Sequence, residues 1–249
     1  MLRPAVALTL CALLGSPASA GPVEVVFGES WDGPSADLQG IVDTFYGPGI
    51  IHLQADYIGA QAADLDPWFW VGSEFSAYLV REIAGNAGRN TLGWYIETGT
   101  KPVIDGIDDG IVFDGVASPG ESAMIFFPRP MTKFGFWLNP NGPLGALNAP
   151  EPELFFTNRF YNDQGPDGAG ALHAPYGGDM QALVFDISDY AGPNTWLVAF
   201  EDVDSGAQPG PCCSTTDNDF NDLVFEVTAF GATPTQPVSF GGLKSKYRK

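Results

Sequence analysis

Between Arg159 and Lys244 the chain carries no lysine or arginine, yet two apolar runs in that interval each end in a knot of acids. Trp196–Phe200 leads into Glu201, Asp202 and Asp204, while Asp217, Asp219 and Asp222 lead into Leu223–Val227. Both runs are rich in branched and aromatic side chains, as buried strands are. A hairpin that pairs them gathers the two knots at one end of a sheet. Two like charges about 5 Å apart repel by roughly 3 kcal/mol at an effective dielectric of about 20. Six such carboxylates need either wide spacing in water or a bound cation. Asn218 and Asn221 add amide oxygens. Hard oxygen donors at this density suit Ca2+, which takes six to eight and tolerates irregular geometry. The alternative is a solvated acidic rim with no metal.

Asp217, Asp219 and Asn221 also imitate the first three ligands of an EF-hand loop. Asp222 stands where that loop requires glycine, and Thr228 where it requires a bidentate glutamate. An EF-hand is therefore excluded, and a site at the ends of strands remains.

The first 20 residues hold one base (Arg3), a short apolar core and small residues at Ala18 and Ala20. This is the pattern of a secretory signal cut near Ala20, too short to span a bilayer. Leu10 before Cys11 argues against a lipoprotein, where a small residue is wanted. A secreted or envelope destination is expected. Without that segment, 10 bases face 30 acids, and four of the bases (Lys244, Lys246, Arg248, Lys249) lie in the last six residues. Such a body does not bind nucleic acid, because phosphate contacts need Lys and Arg.

The remaining 21–249 allows one large all-β domain or two small ones. With 31 Gly, 21 Pro and 32 aromatics (6 Trp, 8 Tyr, 18 Phe), short strands joined by tight turns are expected, not helices. Strands are expected at Thr91–Glu97, Ile111–Phe113, Ala123–Phe127, Lys133–Leu138, Glu153–Phe156 and Gln181–Phe185, besides the acidic pair. The short runs of 21–67 (V-E-V-V-F, I-V-D-T-F-Y, I-I-H-L-Q) suggest edge strands or an ordered lead-in, with His52 a structural histidine. Asp105–Gly110 (D-G-I-D-D-G) is a turn signal ahead of a minor cation loop. One short helix is expected, because Phe75, Leu79 and Ile83 recur every four residues between Ser73 as N-cap and Gly85. His173 and Asp179 precede Gln181–Phe185 and reach the acidic hairpin if that strand pairs beside it. Cys212 and Cys213 are adjacent in the loop. They are open to a vicinal disulfide, an intermolecular bridge or a purely turn-stiffening role. The segment 231–239 reads as an extended linker, and the basic tail as a sorting or anchoring signal or a solvated end.

The run L-V-A-F-E-D-V-D followed by D-N-D-F-N-D-L-V-F resembles the signature of the bacterial domain-of-unknown-function family 4114: aromatic-Glu-Asp, a loop, then Asp-x-Asp-aromatic-Asn-Asp. N-T-L-G-W-Y at 90–95 and H-A-P-Y-G-G-D at 173–179 sit where such domains have comparable elements. The resemblance extends over roughly 73–230. It implies an antiparallel, jelly-roll-like β-sandwich over 21–230, secreted or surface-associated. Carried over by position, it implies a metal site of Glu201, Asp202, Asp217, Asp219, Asn221 and Asp222. The long loop 205–216 with its two cysteines departs from the family pattern.

The function expected from all this is a Ca2+-stabilised, non-catalytic module on the cell surface or outside the cell, binding a surface or matrix component such as a glycan or protein. The competing readings are a carboxylate-dependent polysaccharide hydrolase and a purely structural envelope or biofilm component. No Ser-His-Asp order, H-E-x-x-H, Gly-rich phosphate loop or C-x-x-C supports an enzyme.

Overall fold

Short runs rich in apolar, aromatic and β-branched side chains form strands, and two sheets are built from them. The computed structural model describes residues 27, 36–58, 69–71, 73–84, 88–127, 129, 132–140, 154–162, 180–202 and 218–230. Residues 1–20, expected to be a secretory signal, lie outside the described residues, as do Asp204, His173, Asp179, Asp217, Cys212, Cys213 and the basic tail.

The first sheet is built from β1 (Phe69–Val71), β3 (Thr91–Ile96), β4 (Asp109–Phe113), β6 (Thr132–Asn139) and β7 (Phe155–Phe156), in the order β1-β6-β3-β4 with β7 also on β6. The second has β2 (Glu74–Arg81), β5 (Ser122–Phe126), β8 (Ala182–Asp186), β9 (Thr195–Phe200) and β10 (Leu223–Phe230), in the order β5-β2-β10-β9-β8. Every pairing is antiparallel. The facing sides enclose one core, in which Phe75, Leu79, Phe134, Phe136, Val198 and Phe225 are buried. This is the expected all-β sandwich.

The expected helix at 73–85 is a strand instead. Phe75, Ala77 and Leu79 enter the core, while Ser76 and Tyr78 face outward, a period of two. A spacing of four satisfies both periods, and β2 is held between β5 and β10. Conversely, I-V-D-T-F-Y is not an edge strand but part of helix α1 (Leu38–Tyr46). Asp37 caps it, its Oδ1 accepting from Gly40 N–H at 2.5 Å. Leu38, Ile41 and Val42, spaced i, i+3, i+4, lie against Leu183, Phe185, Leu197 and Val224 on the outer face of the second sheet. The I-I-H-L-Q run likewise forms a single turn, α2 (Leu53–Asp56), with His52 exposed before it.

Strand β3 is covered on both faces. Leu92 and Trp94 face the core, and Tyr95 packs outward with Trp137, Phe156 and Tyr161. The segment 154–162 supplies that cover. Asp105–Gly110 is the turn expected, since the Asp109 carboxylate accepts from the N–H groups of Asp105 and Gly106 at 3.0–3.1 Å. Among the described residues, no helix is long and apolar enough to cross a membrane.

Candidate metal centre

Strands β9 and β10 pair along their length, and their last facing residues are Phe200 and Leu223. Glu201 and Asp202 therefore leave β9 where Asp219, Asn221 and Asp222 approach β10. Five of the six expected ligands thus come to one place, and Asp217 lies outside the described residues. All five are buried: Glu201 is 1% exposed and Asp222, the most accessible, 7%. The acids form an interior cluster, not a rim.

Their oxygens are engaged by N–H donors. Asp222 Oδ2 accepts from Asp202 N–H at 2.7 Å, and Glu201 Oε2 from Phe220 N–H at 3.3 Å. Asp219 accepts from the backbone and side-chain amides of Asn221, at 3.1 and 2.6 Å. Asn218 and Phe220, on either side of Asp219, have φ of 51° and 55°. For a phenylalanine this conformation costs on the order of 1–3 kcal/mol. It is held by the Phe220 N–H bond to Glu201 and by an edge-on contact with Phe27 at 5.9 Å.

Packing carboxylates in a low-dielectric pocket disfavours their charged form. The Asp222 carboxyl is pushed up to about 10, first by burial and then by the charges of Glu201 and Asp202, with the Asp202 N–H opposing. Glu82 is also raised, mainly by burial, with the charge of Asp202 adding to it. Glu82 thus belongs to the electrostatic neighbourhood.

A residue the local motif did not include completes the site. Asn90, 2% exposed, donates its side-chain amide to Asp202 Oδ2 at 2.9 Å. Its own Oδ1 is buried with no hydrogen-bond partner, which costs about 1–3 kcal/mol. The signal for it lies in N-T-L-G-W-Y at 90–95, whose Asn90 is 112 residues from Asp202. Turning the amide over would direct Oδ1 toward the Asp202 carboxylate, an arrangement that only a cation between them makes favourable.

Among the described residues, no three His, Cys, Asp or Glu side chains already converge as metal ligands. The chemistry of the donor set nevertheless fits a hard cation: four carboxylates, the amide oxygen of Asn221 and the orphaned oxygen of Asn90. A cleft of about 350 Å3, bordered by Phe27, Asp37, Gln39, His52 and Gln54, opens onto Asp219. His52, expected to be a structural histidine within an apolar run, is on its exposed rim.

A family model matches residues 129–229, which include both acidic knots. That model is DUF4114, a domain of unknown function. The match takes in β6 to β10, so the DUF4114 segment contributes strands to both sheets, while β2, from outside it, lies between β5 and β10. No curated protein and no solved structure matches the chain.

Proposed function

We propose that this DUF4114 protein is a secreted or cell-surface β-sandwich module, stabilised by Ca2+ at the mouth of the β9–β10 hairpin, that binds a surface or matrix component without chemical turnover. The observation that carries the reading is the burial of Glu201, Asp202, Asp219 and Asp222 together at the end of the β9–β10 pair, where burial and then the charges of Glu201 and Asp202 also raise the Asp222 carboxyl. A divalent ion among these side chains removes that repulsion. Glu201, Asp202, Asp219 and Asp222 would supply carboxylates, Asn221 and Asn90 amide oxygens, with Asp217 completing the set. The ion supplies charge neutralisation and a rigid link between the two strand ends. The cleft beside Asp219 is where a glycan or peptide would meet the site.

A second reading starts from the same pair: burial and then the charge of Glu201 raise the Asp222 carboxyl and favour its protonated form. One shared proton between them relieves the same repulsion without metal.

Thermal unfolding of the purified protein in chelator and in Ca2+ separates the two. With ligand at a hundred times its dissociation constant, stabilisation is about 2.7 kcal/mol, a rise in Tm of roughly 5–10 °C for a domain of this size. Asp222→Asn keeps the packing and removes the charge. It should abolish the Ca2+ response while leaving the protein folded in chelator. Equal Tm in both buffers for the unmutated chain rejects the metal and leaves the shared proton.

A further inference from the structure

The second sheet ends differently on its two sides. At β8 the edge is covered, because Ile58 N–H donates to Val184 C=O at 2.8 Å and Tyr57 bridges Phe185. At β5 no described strand follows. The segment Ser-Ala-Met-Ile-Phe has no charge and no proline, the usual means of blunting an edge. Its outward side chains are apolar and open: Phe126 is 69% exposed and Met124 48%. Tyr78, paired with Ser122 on the neighbouring strand, continues the patch.

The hydrogen-bond phase of β5 says what can occupy this edge. Phe127 N–H donates to Ser73 C=O, and Glu121 C=O accepts from Leu79 N–H, so the odd-numbered residues face β2. By alternation, Ser122, Met124 and Phe126 direct their N–H and C=O groups to the free side. A two-fold axis through Met124 sets Met124 against Met124 of a second copy and Ser122 against Phe126 in both senses. Every outward group then finds a partner, each of the three facing pairs exchanging two bonds. The same axis stacks the exposed Met124 and Phe126 side chains of both copies on one face.

We infer that β5 is a self-complementary edge through which two copies of this chain join their second sheets into one continuous antiparallel sheet. The inference is independent of the cation. The contact is weak, since one short strand and two large side chains bury less than a standard interface. It tightens with added salt, because both copies carry a large excess of acid.

The test is sedimentation velocity of the full chain from low micromolar to several hundred micromolar. A monomer–dimer equilibrium strengthened by NaCl is expected. Met124→Lys, at an exposed position, sets two ammonium groups opposite each other and should weaken the dimer at least about tenfold with Tm unchanged. If it misfolds, Phe126→Thr serves the same purpose. Met124→Cys should form a 124–124 disulfide under mild oxidation, located by peptide mass, since facing Cα atoms about 5.5 Å apart permit one. A chain monomeric throughout overturns the inference, and so does a dimer indifferent to both charge and side-chain loss at 124 and 126. Slow amide exchange at Ser122, Met124 and Phe126 in the dilute monomer also overturns it. If that protection is lost when residues 231–249 are deleted, the occupant is the chain's own C-terminal segment.

Discussion

Asn221 donates its side-chain amide to the backbone carbonyl of Ala36 at 2.7 Å, joining residues 185 apart in sequence. The same amide group bonds Asp219 at 2.6 Å. One side chain therefore ties the entry of α1 to the acidic centre. The helix that covers the outer face of the second sheet is anchored by a residue of the candidate site.

Asn221→Ala should accordingly do more than remove an oxygen from a ligand set. One buried and one partly buried hydrogen bond are lost and the Asp219 carboxylate is left less satisfied, a loss of about 2–4 kcal/mol. Chemical denaturation gives the total. Amide exchange over α1 should accelerate selectively, and unchanged exchange there would show that the helix does not depend on this tie.

Asp222 sets a pH dependence whose sign differs from that of an ordinary carboxylate. Burial and then the charges of Glu201 and Asp202 push it from the ordinary 3.8 up to about 10 in the folded chain, so the folded chain binds the proton more tightly. In chelator, this group's contribution is complete below about pH 4 and is lost as pH rises toward 10, by at most about 1.4 kcal/mol per unit. With Ca2+ in place of the proton the slope reverses, because the ion requires the ionised form. Urea denaturation between pH 5 and 8, with and without Ca2+, reads both slopes; parallel slopes would remove the ion from the account.

Gly93→Ala tests the cover on the outer face of the first sheet. A Cβ at position 93 would come within 2.1 Å of the Trp137 ring, whose Nε1 donates to Trp94 C=O at 3.2 Å. The ring must move or the strand must bend, which costs about 1–3 kcal/mol. A lower Tm and altered tryptophan fluorescence are expected, and an unchanged emission spectrum would mean that the ring accommodates the methyl group.

Asn90→Ala removes both the bond to Asp202 and the unpartnered oxygen. In chelator the two effects oppose each other, so stability should change by less than about 1.5 kcal/mol. If Oδ1 is a cation ligand, calcium affinity measured by titration calorimetry should fall about tenfold or more. Affinity equal to that of the unmutated chain would leave Asn90 as a hydrogen-bond partner only.

Much of this was legible locally. The alternation in Lys133–Leu138 and the apolar runs around the acidic loop identify strands because a pleated chain turns every second side chain one way. The misreadings have equally local causes. Phe75, Leu79 and Ile83 fit two periods, and nothing nearby distinguishes them. In the α1 run, the β-branched and aromatic residues favour a strand. The capping Asp37 and the i, i+3, i+4 spacing of Leu38, Ile41 and Val42 already pointed to a helix. Asn90 and Glu82 could not be assigned to the acidic centre from composition, because the contacts that place them there span more than a hundred residues.

The acids at the ends of two neighbouring strands follow from residue order alone, since hairpin pairing is a short-range property and the charges travel with the chain. Whether those acids meet water or lie inside depends on what packs over them: α1, the Phe27 ring and the strand beginning after Asn90. Proton affinity responds to solvent exclusion and to charges gathered from distant segments, so the chemistry of the site is a property of the assembled sandwich.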